Sequence, residues 1–357
     1  EVLRRLRFQK PHYSFRSQFC YSNSLYMTAG EVIPALTGQP WGDYVRAHFL
    51  APLHMDSTVT SVTALKNHAD VATPHAEVGG QVIPIEWANI DNVDPAGAID
   101  SSVRDMAQWL RLVLADGKYD GRQLVSSAVL EQMQTPQMLI ADGDAEGKFL
   151  KALNPGSSFY AYGLGFFLQD YAGTKVVWHS GHIDGMSAGL GMMPSRHVGV
   201  VVLSNMDQSW LPMALVWRVL DAYSGQPQHD WSGHILSYVK SLEDEDKKAQ
   251  AKLEQAREPG GPSLPLKAYV GSYDNPLYGR VEITLEGGSL VMQLSRRFVG
   301  DMQHWNHQTF QVAWHYRYLD NSYARFDLDA FGVPQSLTLT GLATYTRVVE
   351  KPAGSAP

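Results

Sequence analysis

The sequence predicts an α+β fold, helices packed on an antiparallel sheet, followed by a small all-β barrel domain. Three observations carry this. Helical periodicity dominates the chain up to Met133, and short apolar runs separated by Gly, Pro and Ser follow between Tyr162 and Leu203. Beyond a charged stretch at Ser241–Pro262, strand alternation returns with no helical periodicity. Helices grouped before strands argue against an alternating, parallel-sheet architecture.

The first helix is expected directly after Asn23, where Leu25, Thr28, Ala29 and Val32 fall at helical spacing and Gly38 with Pro40 ends the run. The second is signed by Ser102 and Asp105, a capping-box-like start, and by Met106, Trp109, Leu110 and Val113 before the stop at Gly117. Tyr119-Asp120-Gly121-Arg122 reads as a turn, and Ser126 or Ser127 as the cap of a helix running through Met133. Tyr162 to Leu168, Lys175 to Trp178, Ala188 to Met193 and Val198 to Leu203 read as antiparallel strands. Residues 241–262, SLEDEDKKAQAKLEQAREPGGP, form a charged helical linker ended by a Pro-Gly-Gly-Pro breaker, dividing a first domain over 1–240 from a second over 263–350. In the second, VEITLEGGSLVMQL alternates around Gly287-Gly288, and FQVAW, YARFDLD and SLTLT keep the pattern.

Composition removes several function classes. The 29 Lys and Arg against 36 Asp and Glu give a net charge of −7, with no basic run dense enough to neutralise a phosphate backbone, so nucleic acid is not an expected partner. Arg4, Arg5, Arg7 and Lys10 are interleaved with Leu3, Leu6 and Phe8 and read as an amphipathic helical turn. Cys20 is the single cysteine, so neither an intrachain disulfide nor a cysteine metal cluster is available. No apolar run is long enough to span a bilayer. No secretory leader is visible, but the chain begins with Glu1 and not Met, so this describes only the stretch in hand.

Two segments carry chemistry. Tyr21-Ser22-Asn23 precedes a helix, and His179-Ser180-Gly181 ends a strand. Either tripeptide alone has little specificity. In context, FCYSNSLYMTAGEVIPALTG, PLHMDSTVT, PAGAIDSSVRDMAQWL and WHSGHIDGMSAGLGMMPSRHVGVVVLSN follow in an order that resembles the serine hydrolases of the β-lactamase and penicillin-binding-protein type, in the class C β-lactamase, esterase and D-aminopeptidase-like branch. The resemblance covers Glu1 to about Asn205 well and extends less specifically through Trp210 to Tyr223. The C-terminal part resembles the lipocalin-like domain appended to some of these proteins. What the resemblance implies is a β-lactamase/transpeptidase-like domain, acyl-enzyme chemistry on ester, amide or small peptide substrates, no cofactor, and a periplasmic or secreted setting.

That family's motifs are SxxK, YxN, and KTG or its HxG variant. Tyr21 matches the tyrosine of YxN, which shuttles the proton between nucleophile and leaving group; the chemistry asks for a phenol whose pKa neighbouring cations lower. Its plain alternative is an aromatic buried beside a helix start. Asn23 matches the asparagine that positions lysine and substrate, and its alternative is a helix N-cap. His179 takes the place of the KTG lysine, which weakens the case for a penicillin carboxylate. Ser180 and Gly181 complete the HxG segment, Gly181 allowing close approach to the strand edge, and the His182 backbone N–H would supply half of the oxyanion hole.

The nucleophile is missing. Only twenty residues precede Tyr21, and none of Ser14, Ser17, Ser22 or Ser24 has a lysine three positions on. The formal match Ser237-Tyr-Val-Lys240 falls after both other motifs and is accidental. Cys20 has no histidine tied to it by sequence, and HSGH lacks the helical spacing and glutamate of a zinc motif. The expectation is therefore a truncated hydrolase, with SxxK on an upstream segment or separate chain and a large apolar cavity or exposed face where its helix belongs. The competing class is a non-catalytic binding descendant. Trp305, Trp314, Tyr316 and Tyr318 of the second domain suit a cover over the site, a ligand, an oligomer contact or simply its core.

Overall fold

The computed structural model describes residues 1–257 and 260–349. The chain forms two compact units: Pro11–Asp244, and Glu1–Lys10 together with the chain from Glu245 on. The first ten residues thus group with the C-terminal unit and not with the domain that follows them in sequence.

In the larger unit, α1 (Asn23–Gly30) is capped by Ser22, whose Oγ accepts from the Leu25 N–H at 3.3 Å. Asn23 is therefore the first helical residue and not the cap. The helix expected to run to Gly38 breaks at Glu31, and a second short helix, Val32–Thr37, ends on Gly38 with φ of 72°. That is the left-handed C-cap for which glycine is favoured. In α2 (Val103–Leu114), Ser102 caps the Asp105 N–H at 3.2 Å, but Asp105 does not return the bond. Its carboxylate accepts from the Ser57 N–H at 2.8 Å and the Thr58 hydroxyl at 2.7 Å, pinning a loop 48 residues away. Ser126 caps the helix Ser127–Met133. Further on come α3 (Ala145–Leu153), α4 (Leu211–Ala222) and α5 (Trp231–Gln255).

A six-stranded antiparallel sheet runs in simple sequence order. Its strands are β1 (Met138–Ile140), β2 (Tyr160–Tyr162), β3 (Phe167–Tyr171), β4 (Thr174–Ile183), β5 (Met186–Met193) and β6 (Val198–Ser204). The run expected as one strand from Tyr162 to Leu168 is two, because Gly163 to Phe166 turn the chain between β2 and β3. Alternation sorts the side chains. Tyr160, Phe167, Val176 and Trp178 pack with Val216, Trp217 and Leu220 of α4 and with Trp231 and Ile235 of α5. On the opposite face, Ala161, Leu168, Val177 and Met192 pack with Leu110 and Val113 of α2. Both faces are thus covered by helices. At Gly191 a Cβ would lie 2.6 Å from Val216 Cγ1, so the missing side chain is what lets α4 approach β5.

The smaller unit is a closed barrel of eight antiparallel strands in sequence order. These are β7 (Gly271–Asn275), β8 (Gly279–Glu286), β9 (Ser289–Gln293), β10 (Val299–Asn306), β11 (Thr309–Trp314), β12 (Ser322–Leu328), β13 (Pro334–Leu339) and β14 (Ala343–Arg347). Closure comes from β7 pairing β14 at Tyr273 with Arg347, and it removes the sheet edges. The interior holds Tyr269, Tyr273, Phe310, Phe326 and Tyr345, all essentially inaccessible, with Trp314 in the same cluster. The expected linker is helical, but its helix, α5, starts ten residues earlier than position 241, at Trp231. Pro259 of the breaker and the final position of the 263–350 domain lie outside the described residues. The basic N-terminal turn forms the helix Val2–Leu6, with Arg5 donating to the Asn275 and Pro276 carbonyls at 3.5 and 3.4 Å.

Candidate active site

Strand β4 is longer than its neighbour β3, and the consequence is the site. Pairing between them ends at Phe167 with Trp178, so His179 to Ile183 are bonded to β5 alone and leave their other edge open. That edge forms one wall of a cleft of roughly 1320 Å³ in the larger unit. Tyr21, Asn23, His179, Ser180, Gly181 and His182 all line it, although Asn23 and His179 lie 156 positions apart in the sequence. Cys20 is exposed and does not line the cleft. Ser237 and Lys240 lie on α5, the Ser237 hydroxyl bonded to the Gly233 carbonyl at 2.8 Å.

Tyr21 is held by rings: His179 at 6.0 Å between centroids, Tyr162 edge-on at 6.1 Å and Phe167 stacked at 6.5 Å. Its pKa is raised, not lowered as the sequence led us to expect; burial is the main cause, with Tyr26 and the Glu146 carboxylate adding to it. A phenol in that setting stays protonated until a cation is brought to it.

His179 is fixed by two bonds. Its Nδ1 lies 2.6 Å from the Ser180 carbonyl, which makes Nδ1 the protonated nitrogen, and its Nε2 then accepts from the Tyr162 hydroxyl at 3.0 Å. Tyr162 in turn accepts from the Tyr26 hydroxyl at 3.2 Å. Burial lowers the His179 pKa, partly offset by the bond to Ser180. The folded chain therefore binds fewer protons than the unfolded chain below the ordinary value of 6.5. This contribution to stability is complete above that pH and is lost as pH falls through the window below it. In urea unfolding at pH 7.5 and 5.5, His179→Gln should show less acid destabilisation than the wild type; equal losses would contradict the shift.

His182 belongs to a separate set: its Nε2 lies 2.9 Å from Asp207 Oδ1, and the same carboxylate oxygen accepts from the Gly185 N–H at 2.8 Å. Tyr26, Tyr162, Glu146 and Asp207 were not singled out by sequence reasoning. Tyr162 stands at the start of a run that reads as one strand, and nothing in that run signals that its phenol meets His179. Among the described residues no group of His, Cys, Asp and Glu is arranged to hold a metal, and no helix is long and apolar enough to cross a membrane.

The larger unit is thus an α+β domain, helices on both faces of an antiparallel sheet, with Tyr21 beside the open strand edge that carries His179. Residues 1–223 match the beta-lactamase family model, and the chain belongs to that family of serine hydrolases. Residues 255–351 match a domain of unknown function, DUF3471. The unguisins hydrolase ungD of Aspergillus violaceofuscus is 25% identical over 83% of this chain and 55% of its own length. Its counterpart from Aspergillus campestris is 27% identical over 79% and 52%. The chain thus spans about half the length of these curated relatives. The octameric penicillin-binding protein homologue from Pyrococcus abyssi superposes with a TM-score of 0.52 at 19% identity, covering 97% of this chain and 70% of that one. At that identity the likeness is one of fold.

Proposed function

We propose that this chain forms the greater part of an acyl-transfer hydrolase acting on ester, amide or small peptide substrates, with the nucleophilic Ser and Lys of SxxK supplied by residues outside it. The observation that carries the reading is the convergence of Tyr21 and Asn23 with the open edge His179–His182 on one cleft. An open strand edge offers backbone donors and acceptors to an extended acyl group, and the His182 N–H is suited to its developing oxyanion. The serine oxygen would attack the substrate carbonyl while its proton passes by way of Tyr21 to the leaving group, and water would reverse the sequence. The Lys ammonium would supply the cation that the Tyr21 phenol lacks. Two features suit an added segment: the cleft exceeds the ~300–1,000 Å³ of ordinary ligand sites, and β6 is an edge strand whose Val200 and Val201 pack on opposite clusters. The hydrolase names of the curated relatives agree with this reading. For the C-terminal barrel we propose a lipocalin-like relationship, supported by its closed eight-stranded, sequence-ordered topology.

The raised Tyr21 pKa favours a second reading, a non-catalytic binding protein on the same fold. Intact mass measurement of the protein from its native source, before and after a fluorophosphonate, separates them. A heavier polypeptide or companion chain taking a single adduct is the expected result. A species beginning at Glu1 that takes none would sink the hydrolase reading in favour of the second.

A further inference from the structure

Two tight hairpins decide which backbone groups of β4 face the cleft. Strands β3 and β4 join through Ala172-Gly173, both at positive φ, and β4 and β5 through Asp184-Gly185. Across such a two-residue turn the flanking pair is hydrogen-bonded to itself, and bonded and unbonded pairs alternate from there along the ladder. From Thr174 this alternation sends the N–H groups of Val176 and Trp178 towards β3. From Ile183 it turns those of His182 and Ser180 away from β5. Both hairpins thus put the Ser180 and His182 N–H groups on the open edge, beside the cleft that these residues line. The far end of that edge is tied to one carboxylate. Asp207, in the loop between β6 and α4, has a side chain only 12% exposed, and its Oδ1 accepts from the Gly185 N–H at 2.8 Å and from His182 Nε2–H at 2.9 Å. The Gln208 N–H also lies 3.2 Å from that nitrogen, but the carboxylate is nearer and charged, and so keeps the proton on Nε2.

We propose that Asp207 is a positioning residue: through the His182 side chain and the Gly185 N–H it holds the end of β4 so that the His182 N–H meets the oxyanion formed on the substrate carbonyl. The use of that N–H rests on the hydrolase reading, and the anchor rests on the geometry alone. Residues 179–183 have no ladder bonds on their outer side, so β5 is their one strand partner and the turn end of the hairpin needs a second restraint. Bonds to a carboxylate are roughly twice as strong as neutral ones. The loop that carries Asp207 is itself fixed. Its Asp207 N–H donates to the His75 carbonyl at 2.8 Å, and the Ser187 hydroxyl of β5 donates to the Met206 carbonyl at 2.8 Å and accepts from the Ser209 N–H at 3.0 Å. Gly185 is pressed on the same support, since a Cβ there would lie 2.4 Å from Pro74 Cβ. Asp207 does not line the cleft, so it acts on a bound acyl group only through the edge it holds. That suffices, because an oxyanion donor has to stand ~2.7–3.1 Å from the oxygen it stabilises and a displacement of about 1 Å forfeits most of its effect.

The test is single-turnover acylation of the native protein by p-nitrophenyl acetate. Asp207→Ala and His182→Ala, which both keep the backbone N–H, should each slow acylation about 10- to 100-fold while the half-saturating ester concentration stays within about 2-fold of wild type. Since His182 is held by Asp207, the double variant should be no slower than Asp207→Ala alone. Asp207→Asn, whose amide oxygen still accepts both bonds, should remain within about 3-fold of wild type. An unchanged acylation rate in Asp207→Ala, or losses that multiply in the double variant, overturn the proposal. Should Asp207→Ala not fold, His182→Ala and Asp207→Asn give the same readout. Amide hydrogen exchange reads the anchor without any chemistry: residues 179–186 should exchange at least about 5-fold faster in His182→Ala, and unchanged exchange also overturns the proposal. Fluorophosphonate labelling of the wild type keeps the two readings apart: faster exchange in the variant without a wild-type adduct sinks only the hydrolase, and an adduct with unchanged variant rates sinks only this inference.

Discussion

Tyr21→Phe should slow acyl-enzyme formation in the native protein by about a hundred- to ten-thousand-fold, the range ordinarily supplied by one positioned proton-transfer group. The change removes a hydroxyl and little else. The ring contacts with His179, Tyr162 and Phe167, all at 6.0 to 6.5 Å between centroids, are ones a phenylalanine keeps. Substrate affinity and unfolding midpoint should therefore stay close to wild type while kcat falls, which separates lost chemistry from lost structure. The raised pKa of Tyr21 adds a second expectation: burial, Tyr26 and Glu146 all hold the proton on, so activity depends on a cation reaching the phenol. Single-turnover labelling with an activated ester gives the rate directly. An unchanged acylation rate in Tyr21→Phe would remove this tyrosine from the mechanism.

What made the fold legible was periodicity. The α2 stripe Met106, Trp109, Leu110 and Val113 names a buried face, the apolar run Val176 to Trp178 names a strand buried on both faces, and the structure uses them so. Short-range chemistry was harder. Ser22 and Asn23 are both good caps, and only the backbone shows that Ser22 is extended, at φ −148°, while Asn23 is helical. The β2–β3 turn hid inside an apolar run because Phe166 and Phe167 are both buried, so polarity does not mark where the strand resumes. Within the site, the residues found were those in compact tripeptides. Tyr162 was not, because its partnership with His179 is made by the hairpin register that sets Phe167 opposite Trp178, a relation between strands that no local pattern records. The Tyr21 pKa was misjudged for a related reason: the motif implies a cation beside the phenol, and the neighbour the fold supplies from this chain is Glu146.

Trp217→Ala should destabilise the larger unit by about 3–5 kcal/mol, the usual cost of emptying a large aromatic site in a core. Trp217 is fully inaccessible and stands where three layers meet: its ring stacks on Trp231 of α5 at 5.2 Å and lies edge-on to Tyr171 of β3 at 5.8 Å and Trp178 of β4 at 6.3 Å. Trp178 directly precedes His179, so the cavity opens behind the strand that carries the HxG segment. Loss of activity should therefore accompany the loss of stability. Trp217→Phe separates the ring from its polar atom. The indole N–H has no hydrogen-bond partner among the described residues, and an unsatisfied buried donor costs roughly 1–3 kcal/mol, so its removal offsets much of the lost volume. The phenylalanine variant should thus lie well above the alanine one in urea unfolding followed by tryptophan fluorescence. A Trp217→Ala protein within about 0.5 kcal/mol of wild type, the scale of ordinary surface changes, would mean that α4 and α5 do not set the position of β4 as the packing implies.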